Sequence, residues 1–160
     1  MKYFLLILAC TPVLAAAAGL IGSTIPPAPA GLVHRQGVCI AQGTDFEHAC
    51  DYSIGILESA DGKPVTLFGA RMTGRDSAGG AIWTVADTLP YPVLSKGYFL
   101  ALATCRANGK IDNTIIATVR IQDQDWLRDI LWARRFDTKL GKFVDQPVAG
   151  VECANESRGL

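Results

Sequence analysis

The sequence predicts a mostly β domain: an antiparallel sandwich or barrel of about seven or eight strands, disulfide-tied, with at most one or two short helical turns. Three observations predict it. Runs of β-branched and aromatic residues recur along the chain between turn signals. Two of those signals, Asp61-Gly62 and Asn108-Gly109, are dipeptides that favour two-residue hairpin turns. Cys39, Cys50, Cys105 and Cys153 form an even set in a chain that reads as exported.

Export is read at the N-terminus. Lys2 is the only charge before Arg35, an apolar run reaches Leu14, and Ala15 to Ala18 with Gly19 supply small residues. A short positive start, an apolar segment and an A-x-A stretch predict a secretory signal peptide over residues 1–18, cut after Ala17 or Ala18. Pro12, Gly19 and Gly22 interrupt the run and charged flanks are missing, so no stable membrane span is expected after cleavage. Leu8-Ala9-Cys10 has the outline of a lipoprotein signal, but the apolar stretch before Cys10 is short for one. Residues 19–37 hold Pro26, Pro27, Pro29 and Gly31 and predict an extended Pro/Gly-rich tether. Residues 38–160 are then a single β-rich domain, and the mature chain from residue 19 onward buries about two-thirds of its unfolded surface.

Four cysteines allow three connectivities, and the one favoured here is Cys39–Cys50 with Cys105–Cys153. The first closes a short loop and the second ties the C-terminal tail to an apolar strand. Loop entropy assigns them about 3 and about 4 kcal/mol. No C-x-x-C pair exists and exported thiols oxidise, so neither a metal nor another cofactor is expected.

The strands follow in order. Tyr52 to Glu58 and Val65 to Met72 flank the turn around Asp61-Gly62. Ala81 to Ala86 carries Ile82, Trp83 and Val85. Tyr98 to Cys105 is apolar on both faces, as a central or barrel-closing strand is, and Asn108-Gly109 follows. Thr114 to Ile121 alternates, with Ile115, Ala117, Val119 and Ile121 on one face, and predicts a half-buried strand. Asp125 to Asp129 predicts a helical turn capped by Asp125, followed by a strand from about Ile130. Phe136 and Phe143 flank a hairpin loop, and Val148 to Cys153 closes the chain.

Candidate chemistry is sparse. GRDSAGG, residues 74–80, resembles the GDSGG stretch around the nucleophile of chymotrypsin-like proteases, with Ser77 in the nucleophile's place. It departs at Ala78, the upstream Ala-His-Cys order is missing at Glu47-His48-Ala49-Cys50, and the chain is too short for two barrels. A Gly-rich turn between strands accounts for the string. His34 and His48 are the only histidines and read as solvated loop residues. Asp123, Asp125 and Asp129 crowd one turn without the spacing of a calcium loop. Asn155-Glu156-Ser157 is an N-glycosylation sequon. The best interaction candidates are Trp126, Trp132, Arg134 and Arg135, because Trp and Arg dominate binding hot spots. In a strand, Trp132 and Arg134 share a face and Arg135 takes the other. Catalytic residues are not assigned.

The full chain carries 15 basic and 15 acidic side chains, interspersed. No basic stripe or polybasic cluster points to nucleic acid or to a membrane surface. The reading is an exported, periplasmic or secreted, non-enzymatic binding protein of inhibitor, immunity or envelope-ligand type. Its partner is another protein or an envelope component. The alternatives are a structural or assembly subunit of an envelope complex, which an exposed edge strand would favour, and a small hydrolase of cell-wall or surface polymers, which a deep polar cleft would favour.

Overall fold

The computed structural model describes residues 19–40 and 50–158. The expected signal peptide, its cleavage site, Cys10 and His48 lie outside the described residues.

Thirteen strands in three antiparallel sheets make up the described residues, with a single 3-10 turn at Glu156–Arg158. Sheet A contains β1 (Thr24–Ile25), β2 (Leu32–Ile40), β3 (Tyr52–Ser59), β4 (Pro64–Arg75) and β5 (Ala81–Pro90), in the order β1-β5-β4-β3-β2. Sheet B is built from β6 (Tyr98–Leu102), β9 (Ile115–Arg120), β11 (Ile130–Asp137) and β12 (Lys142–Asp145), in the order β12-β11-β9-β6. Sheet C joins β7 (Cys105–Ala107), β8 (Lys110–Ile111), β10 (Trp126–Leu127) and β13 (Val151–Ala154), in the order β10-β13-β7-β8. The strands are shorter and more numerous than expected. Both expected disulfides form, Cys39–Cys50 and Cys105–Cys153.

Sheet B is the middle layer. Its β9 sends Ile115, Ala117 and Val119 into one buried cluster with Leu127, Val151 and Cys153 of sheet C. Ile116, from the opposite face of β9, joins Ile54, Ile56 and Leu67 of sheet A in a second cluster. From Ile115 to Val119 this strand is therefore covered on both faces rather than half-buried, Thr118 included, whereas Ile121, expected on the buried face, is exposed beyond its end. Its two-residue period is real, but both sides meet a sheet. Phe136 of β11 fills the interface between sheets A and B, and it packs directly over Gly69 of β4. A Cβ at Gly69 would overlap that ring, which is why glycine stands in the middle of a strand.

The expected tether at residues 19–37 is instead part of sheet A. Thr24 and Ile25 pair with Thr84 and Trp83, and β2 pairs with β3 along its length. Leu20 and Ile25 are buried on the outer face of sheet A with Leu57, Phe68, Ala70 and Val85. The apolar residues between the prolines decide the outcome. Burying each large one contributes about 1.5–3 kcal/mol, and the prolines sit in the crossover between two strands, where no ladder bond is needed.

Two further local expectations fail for long-range reasons. The run from Tyr98 to Cys105 is broken at Ala103, whose φ is 60°. The chain leaves sheet B there and enters sheet C. The helical turn expected at 125–129 is β10: Trp126 and Leu127 pair with Ala154 and Cys153. Leu127 completes the core between sheets B and C, and burial outweighs the cap signal of Asp125. The expected hairpins do form. Asn108 and Gly109 both take positive φ, 50° and 78°, as a tight two-residue turn between β7 and β8 requires.

Candidate binding face of sheet C

Sheet C turns its inner residues, Cys105, Leu127, Val151 and Cys153, to the core. Period two then sends Arg106, Trp126, Arg128 and Glu152 to the outer face. Arg106 and Glu152 are directly opposite on β7 and β13, with Arg106 Nε 3.0 Å from Glu152 Oε1. On its other side, Glu152 Oε2 accepts a hydrogen bond from Arg128 Nε at 2.8 Å. The Arg106 guanidinium also lies over the Trp126 ring, 3.7 Å from its centre. The result is a row across three strands: an arginine held between an indole and a carboxylate, then a second arginine on the same carboxylate.

The two arginines differ in exposure. The Arg106 side chain is 24% exposed and that of Arg128 71%. The guanidinium of Arg106 first, and that of Arg128 second, hold the Glu152 carboxyl below its ordinary value. Both cations favour the charged form of Glu152, which in turn holds them in place. The disulfide Cys105–Cys153 joins the same two strands one residue away, on the core side. Two depressions border the row. One, about 400 Å³, is lined by Arg128, Ile130, Val148, Gly150, Val151 and Glu152. The other, about 230 Å³, is lined by Trp126 and Ala154 together with Asn155 and the charged Asp125, Glu156 and Arg158.

The four residues singled out from the sequence do not form one site. Trp132 packs against the core between sheets A and B, and Arg134 shares its face, with its guanidinium 5.4 Å from the ring centre. Arg134 Nη1 is also 2.7 Å from Asp145. Arg135 points to the other side of sheet B and faces Asp112 at 3.9 Å. Trp126 belongs to sheet C. Arg106, Arg128 and Glu152 were invisible as a set, because only the register of β7, β10 and β13 brings them together.

The remaining candidates have local roles. Asp76, in the GRDSAGG turn, accepts hydrogen bonds from the backbone of Ala78 and Gly80, so the string is a hairpin loop between β4 and β5. His34 packs edge-on against Phe68, 5.3 Å between ring centres. The aspartate cluster is divided: Asp123 and Asp125 face Arg158 at 3.5 and 3.3 Å, whereas Asp129 faces Arg120 and accepts from the Tyr98 hydroxyl. Asn155 of the sequon is buried, and its amide donates to the backbone carbonyls of Gln122 and Gln124 at 2.8 and 3.0 Å. No described group of three or more His, Cys, Asp or Glu is arranged to hold a metal ion. No described helix is long and apolar enough to cross a membrane.

Comparison with protein-family models, with curated proteins and with solved structures finds no match to this chain.

Proposed function

We propose that this chain is an exported, non-enzymatic binding protein of the cell envelope or exterior, and that the outer face of sheet C is its contact surface. Two disulfides in a β-sheet scaffold fit an oxidising compartment. The observation that carries the reading is Arg106, fixed between Trp126 and Glu152 while Arg128 stands open beside it. Fixing a long cation before contact lowers the entropy lost on binding. Trp and Arg are also the residue types that contribute most to protein interfaces.

A pull-down from the native envelope, with mass spectrometry of the chain and its partner together, tests both halves. The reading expects a mature N-terminus at Ala18 or Gly19 and a co-purified partner that Arg128→Gln fails to retain. A chain that keeps residues 1–17, or a partner retained equally by the variant, contradicts it.

An assembly subunit is the second reading, favoured by β2. This nine-residue strand ends sheet A, and no described strand pairs with its outer edge. Its ladder with β3 shifts register between His34 and Gln36, and this bulge opposes edge-to-edge pairing, so the sheet C face takes precedence.

A further inference from the structure

We infer that the outer face of sheet C takes an acidic polypeptide segment, with one carboxylate on Arg128 and one apolar or aromatic side chain in the cleft beside Trp126. This rests on the binding reading above and names the partner's chemistry.

The charge is the first argument. Glu152 is shared by two arginines, so the row carries one uncompensated positive charge. Arg106 is enclosed by Trp126 and Glu152, so the excess is presented by Arg128. Its Nε is engaged, and among the described residues its two terminal nitrogens have no partner. Two parallel N–H donors on a planar guanidinium match the two oxygens of a carboxylate. Glu152 orients Arg128 for this role and is not itself available as an acceptor.

The size of the neighbouring cleft is the second argument. At about 230 Å³ it falls below the range of roughly 300–1,000 Å³ typical of pockets that enclose free small ligands. It suits one side chain projecting from a larger partner. Trp126 and Ala154 give it an apolar wall that suits an aromatic or aliphatic group, and Asp125, Glu156 and Arg158 line the same cleft, so the partner's carboxylate belongs on Arg128 and not here.

Spacing is the third. Trp126 lies in β10 and Arg128 one residue past its end, and both reach the outer face, so at the spacing of alternate strand residues their side chains emerge about 6.7 Å from each other. An extended segment laid alongside repeats that distance between its own alternate side chains. The recognised pattern is therefore Asp or Glu, any residue, then an aromatic or aliphatic residue, in either chain direction.

The test is panning of a random-peptide phage library against the disulfide-bonded chain, followed by titration of the enriched peptide as a synthetic probe. The expected result is enrichment of an acid two positions from Tyr, Phe, Trp or Leu. Affinity should fall about tenfold or more with Arg128→Gln, and by a similar factor when the peptide acid becomes its amide. Combining the two changes should cost little beyond either alone. Arg120→Gln, at another exposed arginine, should leave affinity unchanged. No enrichment, enrichment without an acid, or equal binding to Arg128→Gln overturns the inference. Arg128-dependent binding of polygalacturonate without peptide binding also overturns it, in favour of an acidic glycan. If the envelope pull-down still yields an Arg128-dependent partner, the binding function survives while the acidic-segment inference falls. If no partner depends on Arg128, both fall.

Discussion

Arg106 lies over the Trp126 ring, its guanidinium carbon 3.7 Å from the ring centre, although the two residues belong to strands separated by β13. The contact reaches across β13 and fixes one cation on the outer face of sheet C. It is shorter than the stack of Arg134 on Trp132, at 5.4 Å, and it is less open to solvent.

That difference predicts unequal losses. Arg106→Met keeps the apolar stem but removes the charge over the ring, and should lower stability by about 0.5–2 kcal/mol. Arg134→Met should cost less than half of that. Urea unfolding of the two variants beside the parent measures both.

Glu152 predicts a pH dependence. Its folded-state pKa is depressed below the ordinary value of 4.5, by Arg106 first and Arg128 second. Stability from this group is therefore fully present above the unfolded value. It is lost as pH falls through the lower folded value. Glu152→Gln lacks this contribution at every pH. The stability gap between parent and variant should be constant from pH 7 down to about 5 and close progressively below about 4. Urea midpoints across that range check it, and a gap that widens in acid contradicts the assignment.

Gly69 and Phe136 predict an overpacking penalty. Gly69→Ala sets a methyl group against the Phe136 ring at the interface of sheets A and B, and should cost about 1–3 kcal/mol. Gly74→Ala, in the same strand with open space at its Cβ position, should stay within about 0.5 kcal/mol of the parent. Thermal melts of the two variants separate a packing effect from a general effect of alanine in β4.

The N-terminal segment predicts a structural role for residues that read as a tether. Ile25→Ala removes a fully buried side chain from the outer face of sheet A, and should destabilise by about 2–5 kcal/mol. Ile21→Ala, exposed nearby, should change little. Chemical denaturation tests this, and a parent-like Ile25→Ala would mean that the segment is dispensable.

Much of the fold was legible because its signals are local. Asn108-Gly109 specifies its own turn, and the run from 115 to 120 announces a strand by period and β-branching. The two disulfides followed from short-loop closure and from tying the tail to an apolar strand. What was not legible depends on distant partners. Whether Leu20 and Ile25 are tether or core is decided by sheet A, whose outer face needs cover. Whether Trp126 and Leu127 are helix or strand is decided by β13, which offers them a ladder. The proposed contact face combines both difficulties. Arg106 and Glu152 carry no motif, and only the pairing of Cys105 with Cys153 across β7 and β13 sets them opposite each other.

The most direct test of the account is quantitative capture from native envelope extract by three chains: the parent, Arg128→Gln and Arg134→Gln. Arg128 is on the proposed face and Arg134 is on the sheet B surface that the sequence alone favoured. Both are accessible enough for the fold to survive, which an unchanged melting temperature verifies. The account predicts that the parent and Arg134→Gln retain the same partner equally, whereas Arg128→Gln loses most of it. Retention by Arg128→Gln with loss by Arg134→Gln would contradict it and place the contact surface at Trp132.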